Sequence, residues 1–206
     1  LKKISSGDVV VVIGDFNSSS INLLLRLIDL KAIIVPLTNE TGLNHKYFFK
    51  KACADYILEN TDWKIYGFCR WNDSLENVSH LADEINKEDR IQLVYGDLND
   101  LASLLSAVEE SKPEYVFHLA AQSYPQTSFV APLETLETNI IGTAKLLEAI
   151  KRSEANPVIH VCASSEVFGR VPKEFLPIHE EVKFHPASPY AISKVGTDLI
   201  GRYYAE

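Results

Sequence analysis

Tyr190 and Lys194 are the residues of this sequence whose types and spacing most directly suggest chemistry. They are four residues apart, so on a helix their side chains share one face, one turn apart. A neighbouring ammonium stabilises a phenolate and thereby lowers the pKa of the phenol. We therefore expect Tyr190 to take a proton from a substrate alcohol near neutral pH. Ser188 as the N-cap and Pro189 in the first turn favour a helix that begins at this point.

The spacing alone is not specific, because Tyr47 and Lys51 repeat it in a segment that has no other sign of catalysis. The ordinary interpretation of a single pair of this kind is an exposed helix face. The surroundings of Tyr190 and Lys194 therefore decide whether the pair is functional.

The composition describes an ordinary globular chain of 206 residues with a net charge of −8, which argues against general binding of nucleic acid or of acidic membranes. An odd number of cysteines in apolar runs (Cys53, Cys69 and Cys162) indicates reduced thiols and a cytoplasmic location. The sequence shows no metal-ligand spacing, no membrane-spanning run and no signal peptide. Its first residue, Leu1, and its end within a helical pattern lead us to expect a fragment of a longer protein.

Strand and helix patterns alternate along the chain, which predicts a doubly wound parallel α/β sheet. Strands are expected at 9–13, 32–36, 63–70, 91–95, 115–119 and 157–163, and the longer helices at 18–30, 45–60, 133–153 and 189–205. A further helix carries Leu101, Leu104, Leu105 and Val108 on one side. Ligands of such folds lie at the carboxyl ends of the strands. The chemically distinctive side chains follow those ends: Arg70, Asp97, Gln122, Ser123, Ser164 and Glu166.

The first 52 residues form an additional β-α-β segment in this prediction. Gly14, Asn17 and Ser20 have the spacing of a phosphate-binding loop, but only the first is glycine, so an ordinary strand-to-helix turn is the better interpretation. Residues 6–11, 17–20 and 30–37 resemble an early scaffold region of the adenylate-forming enzymes. That family's nucleotide loop has no counterpart in the chain, so we do not expect adenylation.

Residues 53–206 resemble the extended short-chain dehydrogenase/reductase family, and within it the NADP-dependent nucleotide-sugar 4,6-dehydratases of the GDP-mannose 4,6-dehydratase type. The matching motifs occur in the family's order and spacing. They are Tyr95-Gly96-Asp97-Leu98-Asn99-Asp100, His118-Leu119-Ala120-Ala121-Gln122-Ser123, Thr138-Asn139-Ile140-Ile141-Gly142-Thr143, Ala163-Ser164-Ser165-Glu166-Val167-Phe168-Gly169 and Ser188-Pro189-Tyr190-Ala191-Ile192-Ser193-Lys194. The resemblance implies a partial Rossmann domain that uses NADP rather than NAD.

The resemblance implies four catalytic residues. Tyr190 is the acid/base on the sugar 4-hydroxyl, and Ser164 hydrogen-bonds the same hydroxyl. Lys194 holds the nicotinamide ribose and lowers the pKa of the phenol. Glu166 removes the C5 proton, so that water leaves from C6 and a 4-keto-6-deoxy sugar nucleotide results.

The resemblance also assigns residues to ligand binding. Arg70 faces the adenosine 2′-phosphate, where an NAD enzyme would place a carboxylate. Asp97 and Leu98 flank the adenine. The dinucleotide is lined by Leu119, Ala120, Ala121 and Gln122, and the GDP-mannose-like substrate contacts Gln122, Ser123, Ser164, Ser165 and Glu166.

The chain departs from the family where the glycine-rich phosphate loop is expected. Counting back from Ala54 places its three glycines at Asn44, Tyr47 and Lys50, whose side chains would block approach to a pyrophosphate. The first family strand is also missing, and we expect 9–13 or 32–36 to occupy its position. We therefore expect a composite chain, with a seam near residue 52, that binds NADP weakly and turns over little or nothing alone.

Alternatives remain open at this point. Ser164-Ser165-Glu166 also resembles the 4-keto-6-deoxy nucleotide-sugar reductases, and an epimerase of the same family is a further possibility. Outside catalysis, the chain is a non-catalytic composite fragment or an association domain. The family's helices near 133–153 and 189–205 commonly pack across a dimer, so a homodimer or homotetramer is expected.

Overall fold

The structure is a computed structural model, and it describes strands Val9–Ile13 and Ile33–Leu37 together with residues 54–55, 57–73, 75–87 and 89–206. The helix predicted at 18–30, most of the one predicted at 45–60, and positions 44, 47 and 50 lie outside these residues. Among the described residues, no helix combines the length and apolar character needed to cross a membrane.

Six strands are described, and they pair in parallel. Strands β1 (Val9–Ile13) and β2 (Ile33–Leu37) pair with each other, and so do β3 (Ile65–Cys69) and β4 (Ile91–Tyr95). The third pair is β5 (Tyr115–His118) with β6 (Val158–Val161). The last two pairs are each joined through helices, and parallel pairs of this kind confirm the predicted α/β class.

The last two pairs match the two sides of a doubly wound sheet. In the common strand order 3-2-1-4-5-6, the opening strand lies between the second and the fourth strands of the chain. When β3 to β6 are taken as the second to fifth strands of that order, β3–β4 and β5–β6 flank the position of the opening strand. The expectation that β1 or β2 occupies this position is wrong for the described pairing, because each of the two pairs with the other and with neither β3 nor β5.

The helices that follow β4 and β6 begin at side-chain caps. Helix α1 (Ala82–Lys87) precedes β4, α2 (Leu101–Ser111) follows it, and the last helix, α6 in chain order, is Pro189–Ala205. The Asp100 carboxylate accepts from the amides of Ala102 and Ser103 and starts α2. Ser188 Oγ accepts from Ala191 N at 3.0 Å, which confirms its predicted capping role.

The segment between β5 and β6 differs from the single helix predicted at 133–153. It contains α3 (Pro125–Val130), α4 (Pro132–Leu136), a π-helical turn (Glu137–Ile141) and α5 (Gly142–Arg152). Pro132 lacks the amide hydrogen needed to continue α3, so a new helix begins there. In the π turn, Gly142 N donates to Glu137 O, five residues back rather than four.

The main apolar core lies between α2, α5 and the turn that follows β4. Its buried members are Leu98, Leu104, Val108, Ala149 and Ile150. Gly142 allows close contact at the edge of this core, because a Cβ there would lie 2.6 Å from Leu98 Cγ. Helix α6 packs against α5, α4 and the π turn, and this packing holds Tyr190 and Lys194 against the end of β6.

Candidate active site

Ser164 and Glu166 are positioned by a short 3₁₀ turn, Ser165–Phe168, just beyond β6. Ser164 is the N-cap of this turn, and its Oγ accepts from Glu166 N at 3.3 Å. The strand therefore delivers a hydroxyl and a carboxylate to its carboxyl end, which is where ligands of parallel α/β folds bind.

Tyr190 lies in the first turn of α6 and is buried against this strand end. Burial raises the pKa of the Tyr190 phenol, while a hydrogen bond with Ser164 lowers it. The charges of Cys162 and Glu166 raise it further, and the net direction is upward. The expectation of a lowered phenol pKa is therefore wrong for this geometry, because desolvation opposes the charged form more strongly than its neighbours favour it.

Lys194 shares the predicted helix face with Tyr190, but its ammonium group is engaged elsewhere. Its Nζ donates to the main-chain oxygen of Cys162 at 2.9 Å, and the side chain is buried. Burial also lowers the pKa of Lys194. Lys194 does not contribute to the pKa shift of Tyr190 in this arrangement, which explains why the predicted pairing leaves the phenol unactivated.

Glu166 reaches the N-terminus of the same helix. Ser188 Oγ donates to Glu166 Oε2 at 3.4 Å while it accepts from Ala191 N. The structure thus brings the predicted residues Ser164, Glu166 and Tyr190 to one place, with Lys194 one turn further along α6. A hydroxyl, a carboxylate and a phenol at one site are suited to proton transfer at adjacent carbons.

The segment 119–123 follows β5 at the neighbouring strand end. Ala120 and Ser123 are exposed there, and Leu119, Ala121 and Gln122 are half-buried. The Gln122 side chain is held by Tyr124, since its Nε2 donates to Tyr124 O at 3.1 Å and its Oε1 accepts from Tyr124 N at 2.9 Å. The predicted dinucleotide strip is therefore ordered by hydrogen bonds of its own.

The predicted adenosine-end residues lie after β3 and β4. Arg70 is exposed at the end of β3, and its Nη2 lies 2.7 Å from Asp73 Oδ1, an ion pair that raises the pKa of Arg70. The Asp97 carboxylate accepts from Asn99 N at 2.8 Å and so also shapes its own turn. The Leu98 side chain belongs to the apolar core, so only its backbone remains to meet an adenine.

The described residues contain no group of three or more His, Cys, Asp and Glu side chains arranged to hold a metal ion.

Comparison with known proteins identifies the family. The GDP-mannose 4,6 dehydratase family model matches residues 51–206. The chain belongs to the GDP-mannose 4,6-dehydratase family. The GDP-mannose 4,6 dehydratase of Drosophila melanogaster is 32% identical over 168 residues, which cover 79% of this chain and 40% of that relative.

Two solved structures resemble this dehydratase-family chain. RMD from Pseudomonas aeruginosa, complexed with NADPH, is 31% identical, has a TM-score of 0.52, and is matched over 67% of this chain and 47% of its own. A double mutant of DesIV, the dTDP-glucose 4,6-dehydratase of Streptomyces venezuelae, with NAD and DAU bound, has a TM-score of 0.63 at 24% identity, over 79% and 48% of the two chains. The chain therefore spans less than half the length of its first relatives.

Sequence reasoning missed a set of buried polar residues behind this dehydratase-family site. Asn139, Thr143, Ser193 and Thr197 are each at most 2% exposed, and all are hydrogen-bonded to one another or to the strand ends. Asn139, Thr143 and Ser193 stand inside the motifs that carry the family resemblance, yet the sequence suggested no role for them. Their signal was the presence of polar residues on helix positions that face the core.

His118 extends this buried set beneath the site. Thr143 Oγ1 donates its hydrogen to Asn139 O at 2.6 Å, so it accepts from His118 Nε2 at 2.8 Å. His118 Nε2 therefore carries a proton, and the lowered pKa of the ring keeps it neutral at neutral pH. Burial lowers the pKa of His118 to about 4, and the charges of Lys194 and His160 contribute.

We expect this histidine to make the fold sensitive to acid. The unfolded chain binds a proton at His118 below its ordinary pKa of 6.5, whereas the folded chain does so only below about 4. The stability that neutral His118 contributes is thus fully present above pH 6.5. As the pH falls from 6.5 to about 4, the free energy of unfolding decreases by about 3 kcal/mol. Urea unfolding across this pH range measures the loss.

The matched variant is His118→Gln, whose Nε2 still donates to Thr143 but does not titrate. We expect its unfolding free energy to vary less with pH over the same interval. An unchanged pH dependence in His118→Gln would show that other groups cause the acid sensitivity.

Proposed function

We propose that residues 53–206 form the dinucleotide-binding half of an NADP-dependent nucleotide-sugar 4,6-dehydratase that acts on a GDP-mannose-like substrate in the cytoplasm. The observation that carries the proposal is the convergence of Ser164, Glu166 and Tyr190 at the end of β6 in a chain of this family. The cytoplasmic location rests on the sequence, whose odd number of cysteines in apolar runs is typical of reduced thiols.

The donor groups of the site suit a nicotinamide dinucleotide. Lys194 and Tyr190 lie where a ribose and a substrate alcohol would share the end of β6. Arg70 is a 56% exposed guanidinium at the end of β3, and its planar donors suit the adenosine 2′-phosphate of NADP. The cofactor would supply the acceptor and then the donor of a hydride at the sugar.

Tyr190 would take the proton of the sugar 4-hydroxyl, with Ser164 holding that hydroxyl in place. Because the pKa of Tyr190 is raised by burial in the present arrangement, this step needs a cation closer to the phenol. The Lys194 ammonium is the nearby candidate, provided that it leaves the Cys162 carbonyl. Glu166 would then remove the C5 proton, which the 4-ketone acidifies, and water would leave from C6.

We expect the chain to bind NADP weakly. Asn44, Tyr47 and Lys50 stand at the positions expected for glycines that let a pyrophosphate approach the backbone. Calorimetric titration of the purified chain should give a dissociation constant for NADP well above the micromolar range. NAD should bind more weakly still, because it lacks the 2′-phosphate that Arg70 would contact. Sub-micromolar binding of NADP would contradict the expectation.

A single-turnover experiment with excess protein and saturating NADP separates the proposed roles. We expect Glu166→Gln to accumulate reduced cofactor with GDP-mannose, because oxidation at C4 proceeds while elimination is blocked. Tyr190→Phe should give none, because the 4-hydroxyl proton has no acceptor. The wild-type chain should form little of the 4-keto-6-deoxy product, because it binds NADP weakly, and should not accumulate reduced cofactor.

The matched control is Tyr115→Phe, which removes an exposed phenol at the first residue of β5, the opposite strand end from the site. Reduced cofactor in Tyr190→Phe, or its absence in every chain at saturating NADP, would contradict the proposed function. Product that forms only from a 4-keto-6-deoxy sugar nucleotide with NADPH would favour the reductase, the second candidate, whose Ser-Ser-Glu pattern the chain shares.

We further propose a homodimer through α6. Ile192, Leu199 and Tyr203 are half or more exposed, and the spacing i, i+7 and i+11 puts them on one stripe opposite the buried face of the helix. A second copy is the expected occupant, because the resemblance implies that this helix packs across a dimer. Sedimentation should show dimers for the wild type and monomers for Leu199→Glu, whereas Val130→Glu, on α3, should remain dimeric. Monomeric wild-type chain would contradict this proposal.

A further inference from the structure

Asn139 makes buried hydrogen bonds through both its main-chain oxygen and its side-chain carboxamide. It lies in the π turn and is 1% exposed. Its main-chain oxygen accepts from the Thr143 hydroxyl at 2.6 Å and lies 3.0 Å from Thr197 Oγ1, whose single hydrogen is shared with Ser193 O at 2.9 Å. The Thr143 hydroxyl, assisted by that of Thr197, thus satisfies a carbonyl in a turn where the regular helical pattern is broken, and both help to fix the backbone from which the carboxamide projects.

The carboxamide of Asn139 joins two parts of the site. Its Oδ1 accepts from Gln122 N at 2.7 Å, and its Nδ2 donates to Gln122 O at 3.0 Å. The second hydrogen of Nδ2 is donated to Ser193 Oγ at 2.8 Å. Because the Gln122 amide can donate only to an oxygen, the orientation of the carboxamide is determined, and each of its hydrogens has an acceptor.

Ser193 carries the connection into the helix of the candidate acid/base residues. Its side chain is 0% exposed, and its Oγ donates to the main-chain oxygen of Tyr190 at 2.7 Å. The Ser193 hydroxyl therefore accepts from Asn139 and donates to the main-chain oxygen of Tyr190. Ser193 itself directly precedes Lys194 in α6. A continuous series of hydrogen bonds runs from the dinucleotide strip to the phenol-bearing turn, and we call Gln122, Asn139 and Ser193 the carboxamide clamp.

We propose that the carboxamide clamp positions the site by fixing the separation between the strip of residues 119–123 and the turn that carries Tyr190 and Lys194. Asn139 and Ser193 act through other residues and are positioning residues, not catalytic ones. The proposal rests on the proposed function for its purpose, but the coupling of the two segments is a property of the chain alone. Bonding to Gln122 N, Gln122 O and Ser193 Oγ at once requires one acceptor and two donor hydrogens, as a carboxamide provides. A side chain of the same shape without those hydrogens does not join the two segments.

The decisive variant is Asn139→Asp, which keeps the shape of the side chain and replaces both hydrogens of Nδ2 with an acceptor. The introduced carboxyl is buried and faces Gln122 O and Ser193 Oγ, so its pKa is expected to rise. When protonated, it regains one donor. We therefore expect amide hydrogen exchange, corrected for intrinsic rates, to be about ten-fold faster than in the wild type at pH about 8 in both 119–124 and 189–195. It should largely recover at pH about 5.5.

Two further variants keep the test independent of global stability. Thr197→Val removes a hydroxyl bonded to the Asn139 main chain, leaves the carboxamide intact, and should show no recovery at low pH. Ser193→Ala breaks the clamp at its second member without introducing a charge. It should speed exchange in 189–195 at both pH values and decides the matter if Asn139→Asp fails to fold.

Three results would overturn the proposal. They are faster exchange in Asn139→Asp that is confined to one of the two segments, a response of Thr197→Val that matches it at every pH, and an unchanged rate in Ser193→Ala. NADPH fluorescence titration of the same proteins links the clamp to function, with weaker binding expected for Asn139→Asp at the higher pH. If the wild type does not bind NADPH, the proposed function fails, while the exchange data still decide the positioning role.

Discussion

The burial of a single carboxamide constrains much of the architecture around the candidate site. A polar side chain withdrawn from water must find partners for each of its groups, since an unpaired buried donor costs about 1–3 kcal/mol. Asn139 finds them in Gln122 and Ser193, and its backbone oxygen finds them in Thr143 and Thr197. The π turn, the end of β5 and the start of α6 are therefore held in one mutual arrangement.

Burial of the titratable side chains sets the proton chemistry of the site. Desolvation is the leading cause of the shifted pKa at Tyr190, Lys194 and His118, and in each case it favours the neutral form. The Lys194 ammonium donates to the Cys162 carbonyl and does not stabilise the phenolate form of Tyr190. The described arrangement keeps Tyr190 protonated at neutral pH, so base chemistry at this residue depends on moving a charge toward it.

The division of the sheet has a comparable physical origin. Parallel strands pair continuously only when each strand between the edges is present, and β3–β4 and β5–β6 correspond to the two sides of the opening strand. The helices α2, α5 and α6 still pack around their own core and bring the end of β6 to the first turn of α6. The candidate acid/base residues are thus assembled by elements other than the opening strand.

The sequence by itself determined the β4 strand, the α2 and α6 helices and the cap at Ser188, because these depend on local periodicity and nearby hydrogen bonds. It also indicated which side chains meet at the end of β6. Tertiary structure alone decided the π turn, the pKa direction of Tyr190 and the partners of Lys194. Each of these depends on burial and on contacts between residues distant in the chain, such as Asn139 with Ser193, which no local pattern encodes.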